Sequence, residues 1–255
     1  MPGFRTALRL GVDTLELDLH LTADDRLAVW HDPTITPDKC HREPPAAAPP
    51  RVRDLPLDAV REFVCDRNPD PGRFPEQRAS AGADYRIPSL DEVLRLADDH
   101  PGLRFNIELK RDPGDPSTID DDFDGEHAAT FELALVEAIR AHRLESRAVV
   151  QSFDHRSLAA VHSIAPELEL AALTEEPPIL IGLRAYGASI WSPDFETLTP
   201  PLVDEAHELG LRVIPWTVNE PDDIRAMIEL GVDGIISDRP DLVLEMVGRT
   251  PRVPD

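Results

Sequence analysis

Glu16 and Asp18 alternate with Leu15, Leu17 and Leu19 in the run Thr14–Leu19, TLELDL. A strand turns successive side chains to opposite faces, so both carboxylates project from one face, about 6–7 Å apart along the chain. Two acids that close together repel once they leave bulk water, and a cation between them removes the repulsion. Asn106-Ile107-Glu108-Leu109-Lys110 repeats the alternation and places Glu108 and Lys110 on one face. Three inward carboxylates offer hard oxygen donors, the set that suits one Mg²⁺ or Ca²⁺ ion. On a half-exposed strand the same pattern would be a solvated face, a reading that a parallel strand covered on both sides disfavours.

His31 ends the segment Leu27-Ala28-Val29-Trp30-His31, which returns from the first strand through the polar turn Thr22–Arg26. An imidazole there can serve as general acid or base near neutral pH, although a lone histidine is more often structural. Asp18, Lys110, Gln151 and Trp216 fall at or near the C-terminal ends of their strand-like runs, the end at which parallel barrels build active sites. Gln151 and Ser152 can hydrogen-bond a ligand. Trp216 can pack on a substrate's carbon skeleton or serve as a rim residue.

These residues need elements to hold them. From residue 89 onward, strand-like runs alternate with apolar patterns of helical period. The strand readings are Phe105–Lys110, Ala148–Phe153, Glu169–Thr174, Ser189–Asp194, Arg212–Val218 and Gly234–Asp238. Helical patterns cover 89–99, 127–142, 155–164, 200–209 and 220–230, with a short helix near 176–184 and another from about Phe4 to Leu10. Such alternation reads as a parallel barrel or a doubly wound sheet. Leu10-Gly11, Leu209-Gly210 and Leu230-Gly231 each end a helix on glycine and enter a strand, as a left-handed helix terminus requires. Residues 33–88 break the rhythm, with seven prolines between Pro33 and Pro56. They read as an insertion over the sheet, with one short helix near 57–63, acting as a lid or a structural cover.

Composition narrows the function classes. The chain's 255 residues are 41% hydrophobic and can bury a full core, read as one domain over 1–255 with the insertion inside it. There are 49 Asp and Glu against 26 Lys and Arg, and only Lys39 and Lys110 are lysines. A net charge of −23 argues against nucleic acid or anionic membrane as a partner, and makes a local cation more valuable for a small anionic substrate. No apolar run has the length of a membrane span, and the N-terminus lacks a signal peptide's basic and apolar regions, so the chain as given is expected in the cytoplasm. Cys40 and Cys65 match no metal-binding spacing and read as structural or incidental.

Taken together, the motifs resemble the glycerophosphodiester phosphodiesterase family. Gly11-Val12-Asp13-Thr14-Leu15-Glu16-Leu17-Asp18, followed by Trp30-His31-Asp32-Pro33, is similar to that family's G-x-D-x-x-E-x-D, hairpin and H-D signature. Arg86–Val93, the IELK at 107–110, Gln-Ser-Phe at 151–153, Trp-Thr-Val-Asn at 216–219 and Gly231–Asp238 match further motifs in order. The resemblance implies an α/β fold, the (β/α)8 TIM-type barrel, and metal-dependent hydrolysis of glycerophosphodiesters to sn-glycerol 3-phosphate and an alcohol. It also implies one divalent cation, Mg²⁺ or Ca²⁺, held by Glu16, Asp18 and Glu108. His31 would be one of two acid/base histidines, Lys110 would neutralise the phosphate, and Trp216 would lie beside the glycerol.

The sequence departs from the family pattern in two places. Asp25-Arg26 stands where the hairpin usually turns on Asp-Gly. The family's first strand, ending in His-Arg-Gly, and its Pro-Glu-Asn-Thr would precede the helix near Phe4, and seven strands are counted where a closed barrel has about eight. The natural protein is therefore expected to start upstream of Met1, by about 20 residues or more, a length that would hold one strand and its loop. Such a segment would make a periplasmic or secreted location possible. The alternative function is a catalytically inactive barrel that binds a phosphodiester or a cation. A lipid-acting barrel phospholipase is disfavoured by the acidic surface.

Overall fold

A computed structural model describes residues 1–67 and 85–249. The part of the insertion at 68–84 lies outside the described residues. The first helix, α1 (Pro2–Leu10), leads into β1 (Thr14–Leu21), which turns through Thr22–Arg26 into the short β2 (Leu27–Val29). After α2 (Leu57–Val60), α3 (Leu90–Leu94) and α4 (Leu96–Asp99), strand and helix alternate. The order is β3 (Arg104–Leu109), α5 (Thr130–Ala141), β4 (Ala148–Ser152), α6 (His155–Ile164), β5 (Glu169–Thr174) and α7 (Leu180–Ala185). It continues with β6 (Ile190–Pro193), α8 (Pro200–Glu208), β7 (Arg212–Val213), α9 (Pro221–Leu230) and α10 (Pro240–Met246).

The strands form one sheet in the order β2-β1-β3-β4-β5-β6-β7, parallel throughout except for the β1–β2 hairpin. This is the α/β fold expected from the alternation. One-sided leucines explain why β1 sits where it does: Leu15, Leu17 and Leu19 are buried in the layer between strands and helices, with Phe105, Ile107, Leu109, Phe131, Leu135 and Leu158. Burying that side fixes the register, because a one-residue slip would turn the leucines inward and the carboxylates outward. The left-handed helix ends fall where glycine was expected, with φ of 96° at Gly11 and 81° at Gly231.

Two predicted strands are corrected. Arg212–Val218 is regular only at Arg212–Val213, and Gly234–Asp238 forms no strand. Pro215 has no N–H to offer a ladder. The two segments still run side by side through Val218 N to Ile236 O and Ile236 N to Pro215 O, both 3.0 Å. On its other side, 234–238 has no strand partner among the described residues, so no repeating ladder develops. Helix α10, not anticipated from the sequence, packs against α1, and Arg249 ties that corner together by donating to Asp13 and to the Gly11 carbonyl. The predicted helix at 89–99 divides into α3 and α4 around Arg95, and its start carries a capping box between Ser89 and Glu92.

The described part of the insertion has its own small core, with Ile35, Cys40, Val52, Leu57, Val60, Phe63 and Ile87 gathered against Ala28 of β2. Cys40 and Cys65, read above as structural or incidental, are disulfide-bonded across a sequence separation of 25. Spacing alone gave no sign of it, because the pairing is made by the short bridges between His41 and Val64 and between Val64 and Arg86. Closing a loop of that length restricts the unfolded chain by an amount worth about 3 kcal/mol. Cys40→Ser, or wild type under dithiothreitol, is expected to lower the unfolding free energy from urea titration by that order, seen as a lower midpoint; an unchanged midpoint would show that the insertion's core holds without the bridge.

Candidate active site

Adjacent strands bring the three acids together. Asp18 of β1 stands opposite Glu108 of β3, and Glu16 lies one inward step below, opposite Asn106. Glu16, Asp18 and Glu108 each present one oxygen, all within 4.8 Å of one another. The chemistry available here is small: oxygen donors, one ammonium and, nearby, one imidazole. Lys110, the residue after β3, places Nζ 3.1 Å from Asp18 Oδ1 and 2.9 Å from Glu108 Oε1.

One ammonium does not balance three acids. Burial, reinforced by the charges of Asp18 and Glu108, pushes the Glu16 carboxyl well above the usual range. Burial likewise pushes Glu108 up to about 7, with Lys110 pulling against it and Asp18 adding to it. Lys110 is itself raised, because Glu108 and Asp18 outweigh its own burial. Carboxyls that bind protons this readily because they are buried beside one another also favour a divalent cation. The donor set and its electrostatics therefore fit a hard ion such as Mg²⁺ or Ca²⁺.

Gln151 of β4 has both ends of its amide engaged. It accepts from Asn106 Nδ2 at 2.7 Å and donates to Glu16 Oε1 at 2.8 Å, so in this arrangement it orients an acid rather than facing open space. Ser152 likewise donates to the Leu109 carbonyl. Trp216 lies on the same side of the sheet, its indole N–H donating to the Ser192 carbonyl at 2.8 Å and its ring edge-to-face with Phe153, centroids 5.4 Å apart. Asp238, at the end of the segment beside β7, adds to the negative field at Glu16.

His31 is held mainly by its backbone and by Asp32. The preceding Trp30 N–H donates to the Asp18 carbonyl at 2.9 Å, which anchors the end of β2 beside the acids. His20 Nε2 donates to the His31 carbonyl at 3.0 Å. The His31 ring is 68% exposed, with Nδ1 2.7 Å from Asp32 Oδ1. A carboxylate accepts, so Nδ1 carries a proton, and in the neutral ring Nε2 keeps its lone pair for chemistry. Burial lowers the His20 pKa to about 4, so its Nε2–H form persists at neutral pH.

His20, Asn106 and Phe153 were not singled out from the sequence. Alternation alone would have found them, since 16, 18 and 20 share a strand face, as do 106, 108 and 110. Phe153 sits one residue past β4, on the side that alternation from Gln151 would give it in the predicted Ala148–Phe153.

The glycerophosphoryl diester phosphodiesterase family model matches residues 1–242. The chain belongs to this family. A protein from Caldanaerobacter subterraneus subsp. tengcongensis named glycerophosphodiester phosphodiesterase is 32% identical over 96% of this chain and 90% of its own length. A solved protein from Silicibacter pomeroyi superposes with a TM-score of 0.85 at 30% identity, covering 98% of this chain and 89% of that one. A phosphodiesterase from Oleispira antarctica, solved in complex with the product sn-glycerol-3-phosphate, has the same fold, with a TM-score of 0.75 at 17% identity over 96% of this chain and 89% of that one.

Proposed function

We propose that this phosphodiesterase-family chain hydrolyses glycerophosphodiesters to sn-glycerol 3-phosphate and an alcohol, with residues 1–255, insertion included, acting as one catalytic domain. The observation that carries the reading is the convergence of Glu16, Asp18 and Glu108 within 4.8 Å, beside Lys110 and next to β2, the short strand that leads to His31. Glu16, Asp18 and Glu108 would hold one divalent cation, Mg²⁺ or Ca²⁺, which supplies Lewis-acid stabilisation of charge on phosphoryl oxygens. The 32% identical relative's name and the Oleispira antarctica product complex point to the same substrate class.

The chain's own groups divide the remaining work. Lys110 supplies fixed positive charge toward the phosphate, and lies where the net −23 of the protein would otherwise repel it. Gln151, braced by Asn106, keeps Glu16 aimed into the acid cluster. His31 Nε2 is free to take a proton from an attacking oxygen or, once protonated, to give one to the departing alcohol oxygen. Trp216 and Phe153 offer an apolar wall to the glycerol carbons.

The reading is tested with the purified protein and glycerophosphocholine. Release of glycerol 3-phosphate that needs Mg²⁺ or Ca²⁺, stops with EDTA and returns with excess cation is expected. Calorimetric binding of the diester with no release under any of these ions would instead favour an inactive binding barrel.

A further inference from the structure

We propose that Lys39 is a positioning residue for His31, acting through Asp32; the inference rests on the phosphodiesterase reading of His31 and extends the site into the insertion. Asp32 bridges two groups: Oδ1 accepts a hydrogen bond from His31 Nδ1 at 2.7 Å, and Oδ2 accepts one from Lys39 Nζ. The Asp32 side chain is only 24% exposed, whereas the imidazole it holds is 68% exposed and has no other side-chain partner among the described residues. An imidazole in that setting keeps one tautomer and one heading only if its carboxylate partner is itself fixed. A lone carboxylate on a chain turn has several staggered rotamers open to it and two oxygens to exchange; clamping the second oxygen with an ammonium removes that freedom.

Lys39 is held firmly enough to serve. Its neighbour Cys40 is disulfide-bonded to Cys65, and the next residue, His41, exchanges backbone hydrogen bonds of 2.9 and 2.8 Å with Val64. The Lys39 N–H donates to the Thr36 carbonyl, and its own carbonyl accepts from Arg67 N. The side chain is 36% exposed, so the ion pair adds little to global stability. Although burial works against it, the Asp32 carboxyl lies below the usual carboxylate range, held there by the hydrogen bonds from Lys39 and His31. Asp32 therefore stays an ionised acceptor for the His31 Nδ1–H throughout the neutral range. Lys39 touches no reacting group; its effect on the reaction runs through the direction in which Nε2 points.

The test is Lys39→Met, with Lys39→Arg as the conservative variant, followed in two independent ways. Nitrogen NMR of the His31 ring, assigned by its loss in His31→Ala and recorded where the ring is neutral, is expected to show the Nδ1–H tautomer in the wild type. In Lys39→Met it is expected to show an averaged mixture, and in Lys39→Arg a return to the single tautomer. With glycerophosphocholine, kcat in Lys39→Met should fall about tenfold, a fraction of what a well-placed general acid–base group contributes, while KM stays within about twofold. Adding Lys39→Met to Asp32→Asn should cost nothing further. An unchanged ring tautomer in Lys39→Met overturns the proposal, as does a raised KM at constant kcat, which would make Lys39 a direct substrate contact. If the wild type releases no glycerol 3-phosphate, the functional reading fails, and the ring spectrum still decides whether Lys39 sets the state of His31.

Discussion

Glu108→Gln is expected to lower kcat/KM by about a thousandfold, roughly 4 kcal/mol of transition-state stabilisation, while making the cation-free protein more stable above neutral pH. The two effects have one cause. Glu108 is buried, 5% exposed, among two other acids, and its pKa of about 7 states that burial and Asp18 together outweigh the attraction of Lys110. A carboxyl whose pKa is higher in the folded state than in the unfolded chain favours folding while it is protonated. Its contribution is complete below the ordinary carboxylate range and is lost as pH rises through about 7. Cation-free wild type should therefore lose stability between about pH 5 and pH 8, with Glu16, raised in the same direction, adding to the loss. The neutral amide of Gln cannot ionise, so the variant should show a shallower decline.

Added Mg²⁺ or Ca²⁺ reverses the balance. Protons and the cation compete for the same oxygens, so the ion's stabilising effect should grow as pH rises. Thermal unfolding of both proteins in EDTA at pH 5 and pH 8, then with excess cation, reads all of this out. If Glu108→Gln unfolds with the same pH dependence as wild type and gains as much from the ion, the acid cluster is not a cation site.

Much of this was legible because alternation in a strand is a local property. TLELDL and NIELK each declare which side chains share a face, and covering helices decide which face is inward. The three acids could therefore be grouped before their distances were known. What the sequence could not declare was anything created by chain crossing. Gln151 is engaged by Asn106 and Glu16, partners 45 and 135 residues away, and its exposure to a ligand could not be judged without them. The Cys40–Cys65 bond and the Lys39–Asp32 contact arise from how the insertion folds back on β2, for which proline content gives no geometry. The strand reading of Gly234–Asp238 failed for a related reason. Its apolar run suits a strand, but a repeating ladder also needs partners, and among the described residues it has one only toward β7.

His31→Ala should leave a different signature from Glu108→Gln: kcat reduced by about 10²–10⁴, with cation binding and stability nearly unchanged. The ring is 68% exposed, so removing it opens no cavity, and a surface change of this sort shifts stability by about 0.5 kcal/mol or less. The backbone contacts that place residue 31, from His20 Nε2 to its carbonyl and from Trp30 N to the Asp18 carbonyl, survive the substitution. None of the three acids loses a partner. The cation titration followed by thermal unfolding should therefore superimpose on wild type, while glycerol 3-phosphate release nearly stops. A variant that keeps its turnover would remove His31 from the proton-transfer role and leave the acid cluster and Lys110 as the whole of the catalytic apparatus. One that loses cation affinity along with turnover would place the imidazole in the ion's coordination shell. Because the acid variant changes how stability depends on pH and the imidazole variant does not, the two measurements together separate charge stabilisation from proton transfer in this site.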